Sequence, residues 1–184
     1  MSAIADSVFG PLQPLLGCWQ GDLGEDRSPD PDGIEENPYF ETLEFTPVGE
    51  VTNAEQQTLA VLHYRQIVSR KSDGKVFHDQ SGYWHWDAAS ERVYHTLAIT
   101  RGVVLVAEGT TWLEGQERHF LLRTQDGSIG QSAFMQQQAR TTGFSMQLHL
   151  SGDLLSYCET TTVVIYGRTV EHTDRNQLRR CKSS

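Results

Sequence analysis

From Tyr39 onward, apolar side chains recur at every second position in short runs broken by Gly, Asp and Asn. This is the pattern of antiparallel strands with one face toward a core. Leu43 and Phe45 alternate with Thr42 and Glu44. Between Thr58 and Val68, Leu59, Val61 and Ile67 lie on one side and Ala60, Leu62, Tyr64 and Val68 on the other, so this strand is buried on both faces or packed at a barrel wall. Ser72-Asp73-Gly74-Lys75 reads as a type I′ hairpin turn, because Asp-Gly readily takes positive φ. Further strands follow at 76–87, 92–99, 103–113, 117–124, 131–138, 143–150 and 154–166, bounded by turn residues such as Arg101-Gly102, Glu114-Gly115, Asp126-Gly127 and Gly152-Asp153. With one more at Gly17–Leu23 the count is about ten.

Sustained helical periodicity is missing. The only helical candidates are a short turn within Ile4–Leu16, broken by Pro11 and Pro14, and a C-terminal piece over 173–180 opened by Thr173-Asp174. Parallel strands need crossovers that are usually helices, so an α/β fold is excluded and the chain must meander. The fold class read from this is all-β: one domain over 1–184, an up-and-down antiparallel barrel of about ten strands with short terminal helical turns. A two-sheet sandwich is the alternative that the same alternation allows. A barrel of that strand number encloses a cavity, and a cavity implies a small-molecule ligand. Residues 24–38, GEDRSPDPDGIEENP, have a loop composition and read as a solvated insertion or a lid.

Charge narrows the partners. Fifteen Lys and Arg against 24 Asp and Glu leave a formal charge of −9, which provides no basic field for nucleic acid. No run approaches the ~20 apolar residues of a membrane helix. The stretch Met1 to Phe9 lacks the basic and apolar regions of a signal peptide. Cys18, Cys158 and Cys181 form no C-x-x-C pair and are odd in number, which suits a reducing, cytoplasmic address better than a disulfide framework. A homodimer is compatible with the sequence.

Seven histidines are the first candidates for chemistry. His78, His85 and His95 contain the residue type of a metal site, but His78 and His85 are seven apart and would face opposite ways on a continuous strand. Signatures of a nucleophile elbow, a phosphate-cradling loop or a zinc-protease helix do not occur. The aromatic run Tyr83-Trp84-His85-Trp86, with Tyr94, Trp112 and Phe120 after it, reads mainly as barrel packing. His172 stands apart, after the last strand and at a barrel rim, where a neutral imidazole can offer a lone pair to iron and leave the opposite axial position open.

Three segments taken in order carry a resemblance: Pro14-Leu15-Leu16-Gly17-Cys18-Trp19-Gln20-Gly21, His78-Asp79-Gln80-Ser81-Gly82-Tyr83-Trp84, and Asp153-Leu154-Leu155-Ser156-Tyr157. Together with Leu97-Ala98 and Val106-x-Glu108-Gly109, they resemble the nitrobindin family over nearly the whole chain. The resemblance implies a ten-stranded barrel holding ferric haem b in its mouth through one histidine near the C-terminus, with nitric oxide binding and peroxynitrite isomerisation as associated activities. His172 falls where the family's axial histidine falls, and Gly17, Trp19, Gly21, Gly82, Tyr83 and Trp84 are the motif or pocket positions. The alternative is a haem-free carrier or sensor of a fatty-acid-like apolar molecule. Where the family carries apolar residues around its histidine, this chain has Glu171, Thr173 and Asp174, and these acids either hydrogen-bond the imidazole or keep it solvated.

Overall fold

The period-two runs become ten strands in the computed structural model, which describes residues 8–182. They are β1 (Gly17–Asp30), β2 (Gly33–Asn53), β3 (Gln57–Arg70), β4 (Val76–Asp87), β5 (Arg92–Ile99), β6 (Val103–Glu114), β7 (Glu117–Gln131), β8 (Ala139–Ser151), β9 (Leu154–Ile165) and β10 (Arg168–Arg180). Each pairs antiparallel with its sequence neighbours, and β1 also pairs with β10, which closes the barrel. Closure leaves no open sheet edge. A sandwich is therefore excluded. The bounds 76–87 and 92–99 coincide with those read from the sequence.

Four local expectations are corrected. The segment 24–38 is neither loop nor lid: it is the hairpin of β1 and β2, paired from Glu25↔Pro38 to Asp30↔Gly33. Its prolines are tolerated because Pro29 lies beyond the β1–β10 ladder, which ends at Arg27↔Thr173, Pro31 sits in the connecting turn, and Pro38 lies before the β2–β3 ladder, which begins at Tyr39↔Arg70. Residues 173–180 are strand, not helix. Asn176 and Leu178 are buried at period-two spacing, and a helix here would leave β1 and β9 with unpaired edges.

The expected strand at 131–138 is instead the end of β7 and a short helix, α1 (Ala133–Gln138). Ser132 caps it by accepting a hydrogen bond from the Met135 amide at 3.3 Å. At the 72–75 turn only Gly74 has positive φ, so the turn is not type I′. Asp73 Oδ1 accepts from the Lys75 amide at 3.0 Å and holds it. The proline-broken N-terminal turn is a 3₁₀ turn at Gly10–Leu15 that plugs one end of the barrel with Leu12 and Leu15. Of the Met1 to Phe9 stretch, residues 1–7 lie outside the described residues.

The cysteine expectation also changes. Cys18, at the start of β1, is disulfide-bonded to Cys181, just past β10, and only Cys158 remains a free thiol. Nothing local pairs residues 163 apart. Barrel closure does it, and the Cys181 amide donates to the Cys18 carbonyl at 2.8 Å beside the bond.

The core fills one half of the barrel, where Trp19, Trp84, Phe120, Leu122, Leu148, Leu155 and Leu178 pack over the 3₁₀ plug. Trp19 Nε1 donates to the Leu15 carbonyl at 2.7 Å, and the Arg180 guanidinium lies 4.1 Å over its ring. The other half is hollow.

Candidate functional site

The hollow is a cavity of about 380 Å³ with two unlike walls. β5 and β10 stand diametrically opposed in the ring of ten. Leu97 and Ile99 of β5, with Val103 and Leu105 of β6, give an aliphatic wall, continued by Phe144 of β8. On the other side β1, β2, β9 and β10 contribute Asp26, Asn37, Tyr39, Tyr157, Glu159, His172 and Asp174. Alternation along β10 produces this wall: His172 and Asp174 line the cavity, Asn176 and Leu178 continue the same face into the core, and Glu171 and Arg175 are exposed.

His172 is the centre of the polar side. Its Nε2 lies 2.6 Å from Asp26 Oδ1 and 3.2 Å from Asp174 Oδ2. Asp26, only 4% exposed, is aimed by two donors on its other oxygen, Ser28 Oγ at 3.1 Å and Asn37 Nδ2 at 3.3 Å. Burial disfavours the imidazolium, but the hydrogen bond to Asp26 and the charges of Asp174 and Asp26 outweigh it, so the His172 pKa is raised. Asp174 is pushed up to about 7, first by burial, with His172 pulling it down and Asp26 and Glu41 adding to the rise.

Beneath them lies a buried carboxylate network. Glu41, 3% exposed, accepts from Gln66 Nε2 at 2.8 Å on one oxygen, and from Tyr157 Oη at 2.8 Å and Asn176 Nδ2 at 2.7 Å on the other. Tyr39 Oη lies 2.9 Å from Tyr157 Oη, extending the chain of hydroxyls to the cavity wall. Burial raises the Glu41 pKa against the pull of those three donors. Glu159, 8% exposed, is the direct cross-strand partner of Asp174, and its Oε2 has no hydrogen-bond partner. Burial and the nearby charges of Asp174 and Glu41 hold its carboxyl well above the usual range.

Of the residues singled out from sequence, His172 lines the cavity and the six motif positions do not. Trp19 and Trp84 are core, and Tyr83 is 44% exposed on the outer face beside His63 and His85. Gly21 and Gly82 are close-approach positions: a Cβ would meet the Gln177 carbonyl at the first and the Thr96 carbonyl at the second. Gly17 opens β1 at φ 111°.

The three-histidine metal set does not assemble. His78 lines the cavity and pairs with Gln80 at 3.2 Å, whereas His85 turns outward toward Tyr83 and the Tyr94 carbonyl. His95 is sealed between Trp84 and Tyr64 with both ring nitrogens unpartnered, and burial drops its pKa to about 3.

Asp26, Glu41, Tyr157 and Glu159 were not anticipated from sequence. Of the two acids flanking the candidate ligand in sequence, Asp174 reaches it and Glu171 is exposed. For Asp26, 146 residues away, no local signal exists.

The architecture is shared with solved proteins. Rv2717c from M. tuberculosis superposes with a TM-score of 0.75 at 24% identity, over 96% of this chain and 100% of that one. The S-type phycobiliprotein lyase CPES from Guillardia theta gives 0.55 at 13% identity, over 94% and 92%. At such identities the likeness is one of fold. No curated protein sequence matches the chain. A family model does: residues 8–180, the span from just before the 3₁₀ plug to the last residue of β10, match the THAP4-like, heme-binding beta-barrel domain, and the chain belongs to that family.

Proposed function

We propose that the chain binds haem b in the hollow half of the barrel with His172 as its axial ligand, and that it handles nitric oxide or peroxynitrite at the ferric iron. The observation that supports this is the His172 imidazole on the polar wall of the cavity, facing the aliphatic side chains of the opposed β5. The donor set fits such a group. Histidines that ligate metals ordinarily give their other ring N–H to a carboxylate. Here Asp26 receives Nε2, and Nδ1 is the nitrogen outside that pair.

Leu97, Ile99, Val103, Leu105 and Phe144 would exclude water from the face of a flat apolar ring, and Arg70 and Arg101 also line the cavity as counter-charges for carboxylate substituents. Haem held there would supply an iron able to bind a diatomic ligand. The protein's share is to hold the imidazole in one orientation and to limit solvent.

Titrating purified protein with haemin tests the reading. A sharp Soret band that is lost in His172→Ala supports it, and equal affinity of wild type and variant removes it. The carboxylates around His172 favour a second reading, a carrier or sensor without haem that takes an apolar small molecule against the β5–β6 wall. Saturable binding of a fluorescent fatty acid by wild type and His172→Ala alike would support it.

A further inference from the structure

We infer that Asp26, His172 and Asp174 form a binding site for one divalent transition-metal cation of the Zn(II)/Co(II) class. One ligand atom from each of the three lies within 4.8 Å of the others. Two carboxylate oxygens converge on one imidazole nitrogen, at 2.6 and 3.2 Å. In the metal-free molecule a proton on that nitrogen must hold them. A divalent cation does the same work with more charge, and its ligands need to be deprotonated imidazole and carboxylate.

Two independent features point to a ligand. Asp26 is fixed from behind by Ser28 and Asn37, so Oδ1 is presented to the cluster, which is the outer support that metal ligands characteristically have. Glu159 is more than nine-tenths buried, lines the same cavity directly across the strand pair from Asp174, and leaves Oε2 without any hydrogen-bond partner. A buried carboxylate oxygen with nothing to bind is costly unless something fills the place.

The donor chemistry sets the class. One imidazole with carboxylates and no thiolate suits zinc, cobalt, iron(II) or manganese and not the soft cuprous ion. The site shares His172 and Asp26 with the haem reading. Asp26 Oδ1 is the acceptor that orients the imidazole in the haem reading, so a cation bound to Asp26 and Nε2 takes that acceptor away, and the free cation level becomes a control on haem loading.

The test uses the full chain, stripped with a chelator and titrated with Co(II), whose visible absorption reports coordination. One equivalent per chain is expected, with affinity at least tenfold weaker in Asp174→Asn and abolished in His172→Ala. Near-isosteric Asp174→Asn guards against a folding artefact, and circular dichroism with thermal unfolding verifies that each variant is folded. Absence of a one-site cobalt spectrum, or a spectrum indifferent to both substitutions, overturns the site. Haemin titration in parallel separates the two readings. Cobalt binding without a Soret band leaves the cation site standing and the haem reading fallen, and a Soret band without cobalt binding does the reverse. Where both bind, Zn(II) must weaken haemin binding, and if it does not, the shared site is wrong.

Discussion

His172 Nε2 lies 2.6 Å from Asp26 Oδ1, joining residues 146 apart across the seam where β10 meets β1. This contact and the nearby Asp174 raise the imidazole pKa despite burial. Asp26→Asn removes the charge and keeps the shape, so the His172 titration midpoint, followed by NMR of the ring, is expected to move down. A midpoint that stays in place would mean that Asp174 alone sets it.

Glu159 makes stability fall with rising pH. Its carboxyl has a higher pKa folded than unfolded, so its contribution is complete below the unfolded value of about 4.3 and is lost as the pH climbs through the folded value. Asp174 acts in the same sense, between about 3.9 unfolded and about 7 folded. Glu159→Gln is expected to stabilise the chain by about 1–3 kcal/mol at pH 8 and by much less at pH 4, as measured by urea unfolding at both. Equal effects at the two pH values would contradict the assignment.

Gly82 allows β4 to approach β5 where the Thr96 carbonyl fills the space a side chain would need. Gly82→Ala is expected to cost about 1–3 kcal/mol through forced displacement of that carbonyl. Gly115, whose Cβ would meet nothing but whose φ is 63°, provides a contrast in which any cost of Ala comes from the backbone alone. Thermal unfolding of the two variants separates the causes.

The Cys18–Cys181 bond clasps the first strand to the chain just past the last. Removing it with Cys18→Ser is expected to lower stability by about 2–4 kcal/mol, because the loop it closes is long. Unfolding of the wild type with and without a reductant should show the same difference. Reduction that leaves the midpoint unchanged would show that the ladder and the 3₁₀ plug close the barrel unaided.

The alternation of Leu43 and Phe45 with Thr42 and Glu44, and the turn glycines at 74, 102, 115 and 152, were enough to indicate strands, their order and a meander. In two strand segments, loop and cap signals misled the same reading. In 24–38 the prolines and acids signal a loop by composition, yet those prolines sit where one neighbouring ladder is absent, a fact that exists only once registers are set. In 173–180 the Thr-Asp cap signal was overridden because β1 and β9 both needed a partner.

By itself, the sequence determined an antiparallel all-β meander, with a barrel preferred to a sandwich, and singled out His172 among the histidines. Period two is a local property and assigns each side chain to one of two faces. Which faces meet is not local. That Asp26 lies against His172, that Cys18 reaches Cys181, that Glu159 lacks a partner beside Asp174, and that His95 is locked in the core while His78 reaches the cavity were decided by strand register and closure of the ring. Those contacts depend on the relative positions of distant strands, and a one-residue slip in register would have turned each side chain to the opposite face.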